Sequence, residues 1–385
     1  MSILFWRGRV SKAEFRRQYM AYVRERLPDH PCEEVAGDDL SLKVSGFPQH
    51  AEVTQCLDNV YAEFRKNPQD RDDIFERALS LLRSLGHPAV PDRSNILPML
   101  KSRQWLANCY PAGHAPEANS GAELHHEVLN DELVVTYVTM EPAIRFVQRA
   151  DIADAGILPA ELRGVALTNM RARLPRVEFV ELESVWSASV GGNFEATMLV
   201  DEEIWRDERF AQAETVLVAV PDRNTILMST DASVRGVWTM SSFAAVLART
   251  ETYPISSHVF RRVGTEFEPL DRGLEDLDHP IPRPEVYDVI LDVEDAGPRA
   301  AIVIATPLDG SPRSVHRLFR KLESYLVSLG CDGSRAKQAV PEDKRPQIYI
   351  TIHQDSHPEL LDILQGMASV VSDRGANLRL EVKEA

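Results

Sequence analysis

The amino-acid sequence predicts an α+β protein, and three observations lead to that class. Segments that alternate apolar and polar residues are typical of strands with one buried face. Most of these segments occur in pairs separated by a few turn residues, which indicates antiparallel hairpins. Longer segments with apolar residues three and four positions apart predict helices between the hairpins. We therefore predict a mixed or antiparallel sheet with hairpins and helices, plus a smaller C-terminal ββαβαβ two-layer sandwich.

Residues 1–39 form the first predicted section, which contains one basic helix over 12–27. Aromatic residues recur at helical spacing along it, and Pro28 ends the run. Two interpretations are open for this helix. It is either a basic amphipathic helix for a membrane surface, or a solvated helix that packs one aromatic stripe on the body of the protein. The second interpretation is the more common one for such a pattern, and we favour it.

Residues 40–278 form the second section, which opens with a strand, "LSLKVSGF". Helices follow over about 51–66 and 70–85, separated by a proline that cannot continue a helix. Residues 87–98 are rich in proline and have no periodicity, so we expect a loop there.

From residue 132 the pattern changes to hairpins with helices between them. "ELVVTYVTM" and "AIRFV" flank "EP" as a hairpin, and "PAELRGVALTNMRARL" is a helix with Pro159 in its first turn. "VEFVEL" and "SVWSASV" are two further strands. "TVLVAV" and "TILMST" form a hairpin around "PDRN", and a helix over 231–249 and a strand near 258–263 complete the section.

The stretch "GGNFEATMLVDEEIW", residues 191–205, raises the possibility of a phosphate-binding loop. Such a loop needs a helix directly after the glycines, so that backbone N–H groups point at the anion. Here the residues from Phe194 onward alternate between apolar and polar, and Gly-Gly-Asn accepts the positive φ of a tight turn. We therefore predict a hairpin turn over 191–193 with a strand after it. The acids of this stretch are interpreted as a solvated strand face and a helix cap rather than a catalytic cluster, and they are Glu195, Asp201, Glu202 and Glu203.

A domain boundary is predicted between residues 275 and 286, because "LDHPIPRPEV" contains three prolines in ten residues. The sequence of the C-terminal α/β accessory domain, 286–385, predicts in order a strand, a strand, a helix, a long loop, a strand, a helix and a strand. Ser311 is the predicted N-cap of its first helix, and Ser356 with Glu359 forms a capping box at the second.

Four stretches in the middle of the chain resemble the DUF1444 (UPF0354, YtpQ-like) family of bacterial cytosolic proteins. They are "LKSRQWL", "ELVVTYVTMEPAIRFVQRADIADAGILPAELRGVALTNM", "GGNFEATMLVDEEIW" and "VLVAVPDRNTILMSTD", in that order. The resemblance covers about residues 40–270, so that 40–278 is expected to be a DUF1444-like α+β domain. It implies a bacterial cytosolic protein and carries over no catalytic residues.

Composition excludes several classes of protein. The 385 residues indicate two or three domains, and a formal net charge of −16 disfavours nucleic-acid binding by the chain as a whole. Four cysteines stand far apart without a CxxC pair, as in a reducing compartment. No run reaches the roughly 18 to 20 apolar residues of a membrane span, and the N-terminus does not resemble a secretory signal. We expect a cytoplasmic protein without a transmembrane segment or cofactor.

One cluster of metal-ligand types occurs in the segment "NCYPAGHAPEANSGAELHHEV". Its members are Cys109, His114, His125 and His126, and Glu127 is a candidate base beside a bound water. The spacing matches no standard zinc site, and adjacent histidines in an extended segment point to opposite sides. We therefore favour a polar loop over a metal site. The motifs of nucleotide-binding loops, of α/β-hydrolases and of zinc proteases are missing from the sequence.

The first C-terminal helix places basic residues opposite its apolar stripe, and Arg313, Arg317, Arg320 and Lys321 are the candidate partner-binding residues. Such a face attracts an anionic partner, although it is more often only the solvated side of a helix. We conclude that the chain is a non-catalytic binding or accessory protein, immunity- or adaptor-like, with a protein partner. The alternative is a metal-assisted hydrolase that uses the histidine-rich loop 109–127.

Overall fold

The computed structural model describes residues 10–47, 50–86, 90–110, 123–140, 144–271, 276–293, 297–331, 341 and 344–384. The chain divides into two compact units. Unit 1 consists of residues 1–99, 107–127 and 135–174, and unit 2 consists of residues 100–106, 128–134 and 175–385. Helices and several antiparallel sheets occur together, so the predicted α+β class is confirmed.

Unit 1 begins with the basic helix α1 (Lys12–Arg26), which starts at Ser11, where the side chain accepts a hydrogen bond from the N–H of Glu14. Phe15 and Tyr19 on this helix are fully buried, so the predicted packing of its aromatic stripe is confirmed. Arg16 is buried too, and it pairs with Glu34 at 2.6 Å. The rings of α1 pack on α2 (Asp58–Lys66) and α3 (Arg71–Gly86).

A three-stranded antiparallel sheet completes this part of unit 1, with strands β1 (Cys32–Glu34), β2 (Ser41–Phe47) and β3 (His50–Cys56). The predicted helix over 51–66 is wrong in its first half, because β3 pairs with β2 and the helix starts only at Asp58. Gln55 explains the difference: its buried amide donates to the carbonyl of Ala78 at 2.9 Å and accepts from the hydroxyl of Tyr19 at 3.2 Å. This tertiary contact is invisible in the local pattern.

A second sheet has the order β4-β6-β5, with β7 beside β6. Its strands are β4 (Leu97–Ser102), β5 (His126–Val128), β6 (Leu133–Thr139) and β7 (Arg145–Phe146), and the helices around it are α4 (Arg103–Cys109), α5 (Arg149–Asp154) and α6 (Pro159–Arg173). The predicted β6–β7 pairing is confirmed, with Val138 opposite Phe146, while its turn at 141–143 lies outside the described residues. β4 begins inside the segment that we predicted to be a loop.

Unit 2 contains a six-stranded antiparallel sheet with the order β13-β12-β10-β11-β9-β8. The strands are β8 (Glu178–Leu182), β9 (Val185–Ser189), β10 (Val216–Asp222), β11 (Thr225–Ser229), β12 (Val259–Val263) and β13 (Glu266–Pro269). The predicted hairpin β10–β11 is confirmed. Helix α8 (Val234–Thr250) packs on this sheet, capped by Ser233, and the short helix α7 (Glu208–Ala211) lies between β9 and β10 in the chain.

The C-terminal part of unit 2 has the predicted order ββαβαβ. It consists of β14 (Val289–Val293), β15 (Gly297–Ile304), α9 (Pro312–Ser328), β16 (Gln347–His353), α10 (Pro358–Asp373) and β17 (Asn377–Lys383). β14 is antiparallel to β15, whereas β15, β16 and β17 are parallel. Ser311 caps α9 as predicted. The predicted capping box at α10 is wrong: His357 occupies the N-cap, and the buried Ser356 hydroxyl accepts from the N–H of Leu308 at 3.1 Å.

One hydrophobic core joins both sheets of unit 2. It includes residues of the six-stranded sheet, of α8, of α9 and of the C-terminal sheet, such as Leu217, Trp238, Leu318 and Ile350. Trp238 meets Phe319 edge to face, with ring centroids 5.3 Å apart. The predicted boundary between residues 275 and 286 therefore falls within one compact unit, and a separate C-terminal domain stays a prediction.

Candidate functional site

The basic residues of α9 do not form the exposed face that the sequence suggested. The side chain of Arg317 is 0% exposed, that of Lys321 6% and that of Arg320 13%; only Arg313, at 52%, is open to solvent. The prediction of an exposed cationic face is therefore wrong for three of its four residues. The physical reason is that the chain covers this side of the helix itself.

The cover is formed by Asp271 and residues 276–288, which we call the strap. Its acids pair with the cations of α9, as Arg313–Asp276 (2.6 Å), Arg317–Asp271 (2.5 Å), Arg320–Asp271 (3.1 Å), Arg320–Glu285 and Lys321–Asp288 (2.7 Å). The strap also turns backbone carbonyls toward the helix: Arg317 donates to Ile281 and Pro282, at 2.8 and 2.7 Å. Its prolines have no N–H to leave unsatisfied, which suits a segment of turns and bends packed on a helix.

A polar cluster lies between α8 and α9 at the same helix face. The hydroxyl of Ser241 is 2.8 Å from Nδ1 of His316, and both side chains are fully buried. Burial, assisted by the positive charge of Arg320, lowers the pKa of His316 well below its ordinary value. The same two causes lower the pKa of His258, a neighbour of Arg320, to about 4. Both imidazoles are therefore neutral at pH 7, and the Ser241–His316 bond joins two helices rather than facing solvent.

The candidate metal ligands are only partly described. His114 lies outside the described residues, so the four-residue cluster cannot be placed. Cys109 is exposed, and the ring of half-buried His125 stands 5.6 Å from that of Tyr137. Burial lowers the pKa of His125. In the parts of the chain that the structure describes, no three histidine, cysteine or acidic side chains converge as a metal site. The metal-assisted hydrolase stays a prediction that elemental analysis of the purified protein tests.

The Gly-Gly-Asn stretch differs from its prediction. The strand expected from Phe194 onward is wrong, because a 3₁₀ helix forms over Ala196–Val200. Residues 191–193 do turn with positive φ, at 90°, 89° and 81°. The loop wraps around an anion that belongs to its own chain: the buried Glu195 carboxylate accepts from the N–H groups of Val190 (3.1 Å), Gly192 (2.6 Å) and Phe194 (3.2 Å). The backbone donors that would hold a phosphate are thus occupied internally.

One face of the C-terminal sheet carries exposed apolar side chains. Residues that alternate along β15 and β16, such as Ile302 and Ile350, are fully buried in the core. Their neighbours in the strands point to the opposite face. There Leu291, Val303 and Val289 are 57%, 51% and 41% exposed.

The register aligns this open face into rows across the sheet. One row runs Val289, Ala301, Tyr349, Arg379; a second runs Leu291, Arg299, Gln347; a third runs Val303, Thr351, Glu381. The Arg379 guanidinium lies 5.9 Å from the centre of the Tyr349 ring. Among the charged strand residues of the face, Arg299, Arg379 and Lys383 outnumber the one acid, Glu381, which pairs with Lys383 at 3.2 Å. The face therefore carries exposed apolar side chains on β14 and β15, together with more cationic than acidic side chains, in an acidic protein.

Sequence reasoning missed this face because it looked for charge on a helix. The available signal was the composition of β15: in "AAIVIATPL" the residues on both faces of the strand are apolar, although the helices of a two-layer sandwich cover only one face. A strand with two apolar faces and one cover predicts an exposed apolar surface.

Comparisons with protein-family models, with curated protein sequences and with solved structures found no match to this chain. Within the described residues, no helix combines the length and the apolar composition that crossing a bilayer requires. The functional conclusion therefore rests on the geometry above.

Proposed function

We propose that this protein is a non-catalytic binding or accessory protein, adaptor- or immunity-like, which holds a protein partner on the open face of the C-terminal sheet. The observation on which the proposal rests is the set of exposed apolar side chains on three aligned rows of a regular sheet. Membership of the DUF1444 family and a cytosolic location, both expected from the sequence, belong to the same proposal.

The composition of the face fits a protein interface. Fully buried interface centres are depleted in charge and enriched in aromatic residues and arginine, and contiguous exposed apolar patches mark interaction sites. Here Leu291 and Val303 supply the apolar area, while Tyr349 and Arg379 supply the residue types that dominate binding energy. The partner that fits is a protein surface that combines apolar and acidic side chains, because this face combines apolar side chains with mainly cationic ones.

The experiment is affinity capture from native lysate with three versions of the full chain. In the face variant, Leu291→Asp and Val303→Asp place carboxylates at the two most exposed apolar positions of the open face. In the control, Val263→Asp changes a 44% exposed valine on β12, in the other sheet of the same unit. Circular dichroism and a thermal melt establish that all three are folded.

We expect a partner that the wild type and the control recover and that the face variant loses. Its recovery should also fall as salt rises, because the attraction of the cationic side chains on this face is screened. If the face variant recovers every protein that the wild type recovers, the open face is not the contact surface and the proposal is wrong.

A further inference from the structure

Strand β8 forms one edge of the six-stranded sheet, and among the described strands it pairs only with β9. Leu182 lies opposite Val185, so the connection is a two-residue turn, in which Glu183 adopts a φ of 58°. In an antiparallel pair every second residue of an edge strand turns its N–H and C=O away from the partner. β8 therefore presents a row of backbone donors and acceptors outward, which is a template for another strand.

The apolar side chains of β8 lie on the same face of the sheet as the core residues, but beyond the part of that face that α8 covers. Val180 lies in register with Ser187, and Ser187 with Leu227, which belongs to the core beneath α8. Leu227 is 1% exposed, whereas Val180 is 52% and Leu182 41% exposed. The edge thus offers apolar side chains on one face together with its outward backbone groups.

The opposite edge of the same sheet is different. β13 has a proline at its end, and the side-chain amide of Asn130 donates to the carbonyl of Phe267 at 2.8 Å. Phe267 itself is 4% exposed. Proline and a side chain that occupies the backbone are means by which proteins close an edge. Neither is present at the described residues of β8.

The charge of the residues around β8 indicates which kind of peptide segment would bind there. Residues 178–184 contain three exposed glutamates, Glu178, Glu181 and Glu183, and no lysine or arginine. A second copy of this chain, with its net charge of −16, is repelled at such an edge. We propose that β8 binds an extended, basic segment of a protein partner by strand addition, with apolar residues of that segment beside Val180 and Leu182.

The probe for this site is a capped synthetic peptide of about ten residues, a common strand length, that alternates valine and lysine. Its binding to the full chain is measured by fluorescence anisotropy, and amide hydrogen exchange reports whether β8 becomes protected. Two further peptides test the mode of binding. One has alternate backbone nitrogens methylated, so that they cannot donate, and the other carries glutamate in place of lysine.

Two charge-reversal variants test the location. Glu178→Lys with Glu181→Lys changes the β8 edge. The matched control, Glu266→Lys with Glu268→Lys, adds the same charge at the β13 edge, where Glu268 makes only an exposed ion pair with Arg261. We expect the β8 variant to bind the valine–lysine peptide at least about tenfold more weakly, which corresponds to about 1.4 kcal/mol, and the control to bind it within a factor of about two to three.

The methylated and glutamate peptides should bind at least tenfold more weakly to the wild type, and bound peptide should protect the amides of β8. Equal weakening in the two variants would mean general attraction to an acidic protein and would overturn the proposal. So would undiminished binding of the methylated peptide, or no binding by the folded wild type. None of these outcomes depends on the open face of the C-terminal sheet, whose variants are separate.

Discussion

Replacing Arg317 by methionine tests whether α9 is held by a buried ionic contact. The substitution keeps an unbranched side chain of good helix propensity but removes the guanidinium. Three hydrogen bonds disappear, to the Asp271 carboxylate at 2.5 Å and to the carbonyls of Ile281 and Pro282 at 2.8 and 2.7 Å. Both Arg317 and Asp271 are 0% exposed, so water does not replace the lost donor without local opening.

The expected loss of unfolding free energy in Arg317→Met follows from that burial. Removing one partner of a buried ion pair costs about 3–5 kcal/mol, because the other charge is left uncompensated. Arg320 remains 3.1 Å from the second oxygen of Asp271, so the lower end, about 3 kcal/mol, is the better expectation here. Arg313→Met is the matched control, one turn earlier on the same helix. Its pair with Asp276 is half exposed, and its loss should cost no more than about 1 kcal/mol.

Urea unfolding, followed by circular dichroism and tryptophan fluorescence, measures both variants against the wild type. The difference in free energy is taken from the transition midpoints at a common slope. The reasoning is refuted if Arg317→Met and Arg313→Met shift the midpoint equally, or if Arg317→Met shifts it by less than about 1 kcal/mol. Either result would mean that the strap leaves α9 open to solvent.

Three further predictions concern stability. The folded pKa of His258 is about 4, below the unfolded value near 6.5, so the unfolded state binds the proton first as the pH falls. The free energy of unfolding should therefore fall by up to about 3 kcal/mol as pH drops from 6.5 to 4. His258→Gln should remove that part of the pH dependence, which urea titrations at several pH values measure. Glu195→Gln takes the charge from a carboxylate that accepts three backbone N–H groups, and the unfolding free energy should fall by about 1–3 kcal/mol while the thermal melt stays cooperative. Gly236→Ala should destabilise the protein by more than about 2 kcal/mol, because the added Cβ would lie 2.3 Å from the backbone oxygen of Asp231. Gly164→Ala places its Cβ in open space and should stabilise the protein by up to about 1 kcal/mol. The two variants should therefore shift the melting temperature in opposite directions.

The sequence was sufficient for elements that local chemistry specifies. The C-terminal ββαβαβ order was predicted because its strands are apolar runs or alternate apolar with polar residues, and because its helices carry strong periodicity. Ser311 before Pro312 fixed the start of α9, and Ser233 shows the same cap at α8. These signals act within a few residues, so they can be recognised without knowing the rest of the chain.

Elements that depend on distant partners were beyond such reasoning. Residues 51–56 have a plausible helical pattern, yet they form β3 because Gln55 finds its partners on α1 and α3. The segment after Gly192 alternates like a strand, yet it does not form one, because the Glu195 carboxylate accepts hydrogen bonds from N–H groups of the loop. In both cases one buried polar side chain, satisfied by backbone or by a distant residue, outweighs a weak local preference.

The cations of α9 illustrate a signal that was present but was not used. A helix with an apolar stripe and a basic opposite side has a solvated face only if nothing else covers it. The proline-rich segment before the helix contains six acids, and four of them, Asp271, Asp276, Glu285 and Asp288, pair with the four basic residues of the helix. An acidic segment close in sequence to a basic helix face indicates an internal contact, because the chain itself supplies the acidic partner.

The strap pairs the cations of α9, and the two proposed contact surfaces of unit 2 differ in charge. The open face of the C-terminal sheet has apolar and mainly cationic side chains, and the β8 edge is acidic beside Val180 and Leu182. Both belong to one compact unit whose sheets share a core, so segments bound at the two places would be held at a fixed separation. Opposite charges also keep one partner from competing for the site of the other. If both proposals hold, this arrangement would let the protein join two different protein segments.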